Sequence, residues 1–251
     1  MLDAAYVLRE QLGGLDEPTQ ALLVAAVEAA AVSWQLPDQG IWEIRGPARR
    51  YFHSIVMCWV ALDRGIELAT ALGAPERVWD WTVIREEIKD AILTEGWNED
   101  VGAFTQSFGS TALDASCILV SLVGLLPPDD RRVNATIDAV LTGLTDEQGL
   151  VLRYRSHDGL EGQEGSFLLC TFWVAESLAR ASRLPEAEDL LRRAAGYAND
   201  LGLLAEQVDP LSGELLGNYP QAFSHLGLVL AAQALADAKT RAQPPASGDN
   251  Q

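Results

Sequence analysis

Two glutamates in this chain have neighbours suited to acid–base chemistry. Glu43 lies in Trp42-Glu43-Ile44-Arg45-Gly46, between a tryptophan and an isoleucine. An apolar setting favours the protonated carboxyl that a general acid needs, whereas Arg45 beside it favours the anion. Taken alone, the pentapeptide fits a surface glutamate paired with Arg45 or Arg49 better. Glu206 lies in Leu204-Ala205-Glu206-Gln207-Val208-Asp209-Pro210, after an apolar stretch that reads as a helix end. A carboxylate in such a loop can hold and deprotonate a water. Taken alone it also fits a turn carboxylate, and Asp209-Pro210 marks a turn. Cleavage of a glycosidic bond asks for two carboxylates, one on each face of the scissile bond. An inverting reaction separates them by roughly 6.5–9.5 Å. The chain offers two candidate loops, and their separation is not legible.

Arg153-Tyr154-Arg155 adds a planar guanidinium fork that suits vicinal hydroxyls. A salt bridge from Arg153 to Glu161 or Glu164 is the plainer local reading. Trp59, Trp79, Trp81 and Trp173 sit in apolar runs and read as core, leaving Trp42 and Trp97 as aromatic faces for stacking. His53 and His225 have apolar neighbours and read as core histidines bonded to backbone. No HExxH pattern and no glycine-rich phosphate loop occurs, so no metal and no cofactor is expected. Asp129-Asp130 follows two prolines in a loop and does not fit a metal-binding helix face. Cys58, Cys117 and Cys170 are far apart in apolar runs. They read as buried free thiols of a reducing, cytoplasmic protein.

The formal charge of −18, without a basic cluster, argues against nucleic acid and against anionic membrane surfaces. A neutral ligand such as a sugar is compatible. The opening stretch MLDAAYVLREQLGG carries charges and no long apolar core, so it is not expected to be a signal peptide, and no run of about 18 apolar residues occurs.

Helical periodicity dominates the elements that must hold these loops. Nine helices are expected: Leu2–Leu12, Thr19–Gln35, Phe52–Leu72, Val78–Glu95, Leu113–Leu122, Val133–Leu144, Phe167–Ser182, Leu184–Leu201 and Pro220–Leu235. Phe52–Leu72 and Ala115–Leu126 are apolar around most of their girth, so each should be covered on more than one side. Paired helices of this kind suggest an all-α, (α/α)6-type toroid over 1–239. The polar, Pro-containing tail 240–251 is expected to be disordered. Three long connections, 37–51, 145–166 and 203–219, carry the candidate residues, as long loops in helical domains tend to do.

Five stretches, in order, resemble glycoside hydrolase family 15, the glucoamylase and trehalase family. They are PDQGIWEIRG (37–46), HSIVMCWVALDRGIELA (53–69), FTQSFGSTALDAS (104–116), EGSFLLCTFWVAESLARASRLPEA (164–187) and NDLGLLAEQVDPLSGELLGNYPQAFSHLGL (199–228). The resemblance implies an (α/α)6 toroid and inverting hydrolysis of terminal α-glucosidic bonds, as in trehalose, maltose or α-glucans. It implies Glu43 as general acid and Glu206 as general base. It implies Arg153, with Tyr154, at the sugar, and Trp42 as a subsite aromatic.

The chain departs from the family pattern at Ile55, where a lysine is usual, and at Arg50, Tyr51 and Phe52. The family's Trp-x-Arg-Asp motif does not occur in these residues, and its N-terminal β-sandwich is not expected among them. Nine helices fall short of the twelve of a closed toroid, so an incomplete toroid is expected, with apolar helix faces exposed. Such a chain would self-associate, pair with an N-terminal half of the enzyme, or be a non-catalytic remnant.

Overall fold

A computed structural model describes residues 1–11, 13–155 and 164–242. The tail from 243, the middle of the 145–166 connection and Leu12 lie outside the described residues. The chain forms two compact units. The first comprises Met1–Ala112 and Val123–Leu125; the second comprises Leu113–Leu122 and the described residues from 126 onward.

The first unit holds α1 (Leu2–Val7), α2 (Glu17–Ser33), α3 (Phe52–Leu68) and α4 (Val78–Thr94). It also holds a two-stranded hairpin of β1 (Trp97–Asn98) and β2 (Ala103–Phe104). Asp16 starts α2: its Oδ1 accepts from the Thr19 amide at 2.9 Å, with Pro18 in the first turn. α3 is the central helix of the unit and packs against α1, α2 and α4. It buries Phe52, Ile55, Val56, Trp59, Val60 and Leu62. Ile55 therefore serves the core. Gly65 lets α2 approach, since a Cβ there would come within 2.7 Å of Val27. Trp81 is fully buried on α4, and its indole N–H donates to Glu28. Trp79 is 75% exposed and does not belong to the core. On a helix, residues two apart point to different faces, so the burial of Trp81 turns Trp79 outward.

The second unit holds α5 (Leu119–Leu122), α6 (Arg131–Leu144), α7 (Leu168–Arg180), α8 (Leu184–Ala195) and α9 (Ala222–Ala242). A three-stranded sheet of β3 (Ser166–Phe167), β4 (Gln207–Val208) and β5 (Leu215–Leu216) runs in the order β3-β4-β5, all antiparallel. α7 is the central helix, with 10 of its 13 residues buried, and it packs against both α8 and α9. Gly227 of α9 sits on Leu169 and Phe172 of α7, where a Cβ would meet both at 3.0 Å.

Nine α-helices are found among the described residues, each overlapping an expected one. Their ends move for local reasons. The 113–122 segment is a 3-10 turn, capped by Asp114 through the Ser116 amide, followed by a single α turn. Asp130 caps α6 through the Arg132 amide, so the Asp129-Asp130 pair is a helix start. α8 stops at Gly196, and the Asn199 side chain then accepts from the amides of Leu201 and Leu203, which closes a loop. α9 continues to Ala242, past the expected end at Leu235 and three residues into the expected tail. Its Ala-rich last turns favour helix without an apolar stripe. The outer face of α9 carries Phe223, Leu226 and Leu230, all exposed.

Among the described residues, no helix is long and apolar enough to cross a membrane.

Candidate active site

Glu43 belongs to the first unit, on the loop between α2 and α3. Asp38 and Arg49 close that loop with reciprocal backbone hydrogen bonds of 2.9 and 3.0 Å. The Asp38 side chain accepts from the Gly40 amide at 3.1 Å. Gly40 has φ +70° and lies flat on the Tyr51 ring, 2.8 Å from where its Cβ would stand. Tyr51 is itself buried and begins α3. A glycine is therefore required at position 40 by both conformation and space.

The turn places Glu43 at φ +51°, in the left-handed region. The Glu43 amide donates to the Gly40 carbonyl, and the Ile44 amide to the Gln39 carbonyl. Glu43 is exposed and Trp42 is half-buried. An apolar pocket around the carboxyl, one of the two settings read from the pentapeptide, is not formed. The left-handed conformation costs a residue with a Cβ about 1–2 kcal/mol. Glu43→Gly is thus expected to keep or raise stability, by up to ~1 kcal/mol once the added chain entropy of glycine is counted, while removing the carboxyl. A thermal or denaturant melt checks this; a clear loss of stability would contradict it.

At the foot of the same loop lies a cleft of about 830 Å³, lined by Pro37, Arg49, Arg50, Glu95, Ser107 and Phe108 among others. Arg50 bonds Glu95 at 2.7 Å and stacks 4.7 Å over the Phe108 ring. Sequence reasoning missed this cleft. The 37–51 connection and the FTQSFGS stretch were both singled out, but nothing in the sequence showed that they line one cleft together.

His53 and Cys58 lie on α3, and Asp38 acts on both. Withdrawal from water pushes His53 down to about 4, and the Asp38 charge opposes this. The same two influences act together on Cys58 and push it up to about 11. Burial also raises Cys117 and Cys170, both wholly inside the second unit. Cys58 is half-buried rather than buried, and all three are free thiols.

For His53 the folded form holds its proton less tightly than the unfolded chain does. Its contribution to stability is whole above about pH 6.5 and is lost as the pH falls through about 4. The loss is at most ~3 kcal/mol. The stability of His53→Gln should fall less steeply than wild type between those pH values. Parallel curves for the two proteins in denaturant titrations would refute this.

Glu206 belongs to the second unit and stands immediately before β4. Its carbonyl accepts from the Leu168 amide at 3.1 Å and its amide donates to the Asn218 carbonyl at 3.0 Å, so both flanking segments grip it. Its carboxylate accepts from the Asn218 amide at 2.9 Å. The preceding residues are anchored to α9. The Ser224 hydroxyl donates to the Ala205 carbonyl at 2.7 Å. His225 Nε2 accepts from the Leu204 amide at 3.2 Å, which leaves Nδ1 to donate to the Gln221 carbonyl. His225 is thus a histidine bonded to backbone, as read from its neighbours. Asp209 forms the expected turn, accepting from the amides of Leu211 and Ser212, and these bonds hold its carboxyl below the usual range.

Arg153 and Tyr154 also lie in the second unit, on an extended segment. Tyr154 is 5% exposed and bridges Asp114, while the Arg153 carbonyl accepts from the Ala115 amide. The Arg153 guanidinium pairs with Glu164 and lies 5.4 and 5.3 Å from the centres of the Tyr154 and Phe167 rings. The salt bridge anticipated for Arg153 is present. Among the described residues, no group of three or more His, Cys, Asp and Glu side chains is placed to hold a metal ion.

A family model described as glycosyl hydrolases family 15 matches residues 18–183 and 183–233. The chain belongs to that family. It is 45% identical, over 232 residues, to a trehalase of Mycobacterium tuberculosis; the match takes in 91% of this chain and 34% of the trehalase. A trehalase of Thermoplasma volcanium is 40% identical over 205 residues, 82% of this chain and 33% of the relative. The chain thus spans about a third of the length of these relatives. A solved structure described as a wild-type glycosidase superposes with TM-score 0.72 at 24% identity, covering 84% of this chain and 58% of that one. A glucoamylase from Saccharomycopsis fibuligera superposes with TM-score 0.69 at 15% identity, over 85% and 60%. These likenesses show the all-α fold of part of an (α/α)6 toroid.

Proposed function

We propose that this chain carries the catalytic carboxylates of an inverting α-glucosidase, with trehalose as the first substrate to test. The observation that carries the reading is membership of glycosyl hydrolases family 15 over a span that takes in both Glu43 and Glu206. Trehalose is favoured over maltose and α-glucans because relatives 40–45% identical to this chain are trehalases.

Glu43 acts as general acid and gives its proton to the glycosidic oxygen. Glu206 acts as general base and takes a proton from the water that attacks the anomeric carbon on the opposite face. One bond forms as the other breaks, and the attacked glucosyl unit leaves as β-glucose. Arg153 binds sugar hydroxyls through its fork, with Tyr154 packed beside it, and Trp42 offers its ring face to the substrate.

Anomer-resolved proton NMR of the first turnovers tests the reading. Inversion yields equal amounts of α- and β-glucose from trehalose. Retention yields α-glucose alone and would overturn the assignment.

A further inference from the structure

The Glu206 side chain is constrained from two directions by the same two residues. Its Oε2 accepts from the Asn218 amide at 2.9 Å. Directly beside that bond is Gly217, at φ +74°, where a Cβ would stand 2.6 Å from Oε2 and 3.2 Å from Cδ. The backbone of the Glu206 residue is tied to Asn218 as well, through its own amide. A carboxylate on a side chain with three rotatable bonds is thus fixed against a backbone donor, and only a residue without a side chain leaves room for it there.

We propose that the Gly217–Asn218 turn is a backbone clamp that orients the Glu206 carboxylate, with one oxygen occupied by the Asn218 amide and the other left for the water. This rests on the reading of Glu206 as general base. Both clamp residues are positioning residues. A backbone donor cannot rotate away, so the orientation is set before substrate arrives and costs nothing during the reaction. Misplacing such a group by about 1 Å can cost ~10²-fold in rate.

Gly213 supplies a matched control. It lies on the β4–β5 connection, four residues before Gly217 and on the other side of β5, at the same φ of +74°, but a Cβ there meets nothing closer than 3.7 Å, at Gln148. Gly213→Ala and Gly217→Ala therefore impose a similar backbone strain, and only Gly217→Ala presses on the carboxylate.

The first readout is the Asn218 amide proton in nitrogen-15-labelled full-length chain, followed across the carboxylate pH range. An amide that donates to a carboxylate shifts as the carboxylate ionises. The Asn218 amide is expected to titrate in wild type and in Gly213→Ala, and not in Glu206→Gln. In Gly217→Ala its titration is expected to shrink or vanish. The second readout is trehalose hydrolysis, where Gly217→Ala is expected to lower kcat by ~10- to 100-fold with KM within about threefold, and Gly213→Ala to lower it far less.

An Asn218 amide that does not titrate in wild type, or titrates equally in Glu206→Gln, overturns the clamp, and this holds even if Gly217→Ala does not fold. Equal kcat in the two glycine variants also overturns it. Full hydrolysis by Glu206→Gln would instead remove the general base assignment and leave the amide–carboxylate bond standing, so the two failures are distinct.

Discussion

Glu206→Gln is expected to lower hydrolysis of trehalose by ~10²–10⁴-fold and to leave the fold intact. A glutamine carbonyl can still accept from the Asn218 amide, so the loop keeps its anchor. It cannot take a proton from water. Glu43→Gln should lower hydrolysis by a similar factor, because an amide cannot protonate the leaving oxygen. Glu43 is exposed and Glu206 half-buried, so neither change opens a cavity, and melting should shift by less than ~1 kcal/mol. Steady-state kinetics with a melt of each variant checks both halves. Wild-type turnover in either variant removes that residue from its role.

Phe172→Ala is expected to destabilise the chain by ~3–5 kcal/mol. Phe172 is fully buried on α7, the helix that α8 and α9 both cover. Gly227 is pressed against it from α9, and Ser224 and His225, three and two residues earlier on α9, hold the segment that leads to Glu206. The cavity therefore opens beneath the anchor of the general base. Urea titration reads the loss, and a shift of under ~1 kcal/mol would show that α7 is not the core of its unit.

The helices were legible because their apolar faces repeat at helical spacing. Phe52–Leu72 read as apolar around most of its girth, and α3 proves to be the covered helix of its unit. Ala115–Leu126, read the same way, is buried but only as a 3-10 turn and one α turn, and the covered helix of the second unit is α7. The helix ends were less legible, since they depend on caps and on alanine. The Ala-rich run that extends α9 to Ala242 leaves no mark on an apolar pattern. Trp79 was misread because an aromatic residue in an apolar run does not reveal which face of the helix it takes.

The candidate site was legible as motifs and hardly at all as geometry. Glu43 and Glu206 were singled out by family motifs, whereas each looked like a surface residue from its own neighbours. What holds them is backbone: the left-handed turn at Glu43, Gly40 against Tyr51, and the Asn218 amide at Glu206. Backbone donors have no letter in a sequence. Gly217 was visible only as one glycine among 21, and its task appears only when the carboxylate beside it is placed. The Arg153–Glu164 pair was foreseeable because opposite charges stood close in the chain.

The most direct test of the central claim is glucose release from trehalose by the purified chain, read by anomer during the first turnovers, with Glu43→Gln and Glu206→Gln alongside. The expected result is equal α- and β-glucose from the wild type and neither from the two variants. α-Glucose alone, hydrolysis that survives both substitutions, or a folded chain that releases no glucose would contradict the account.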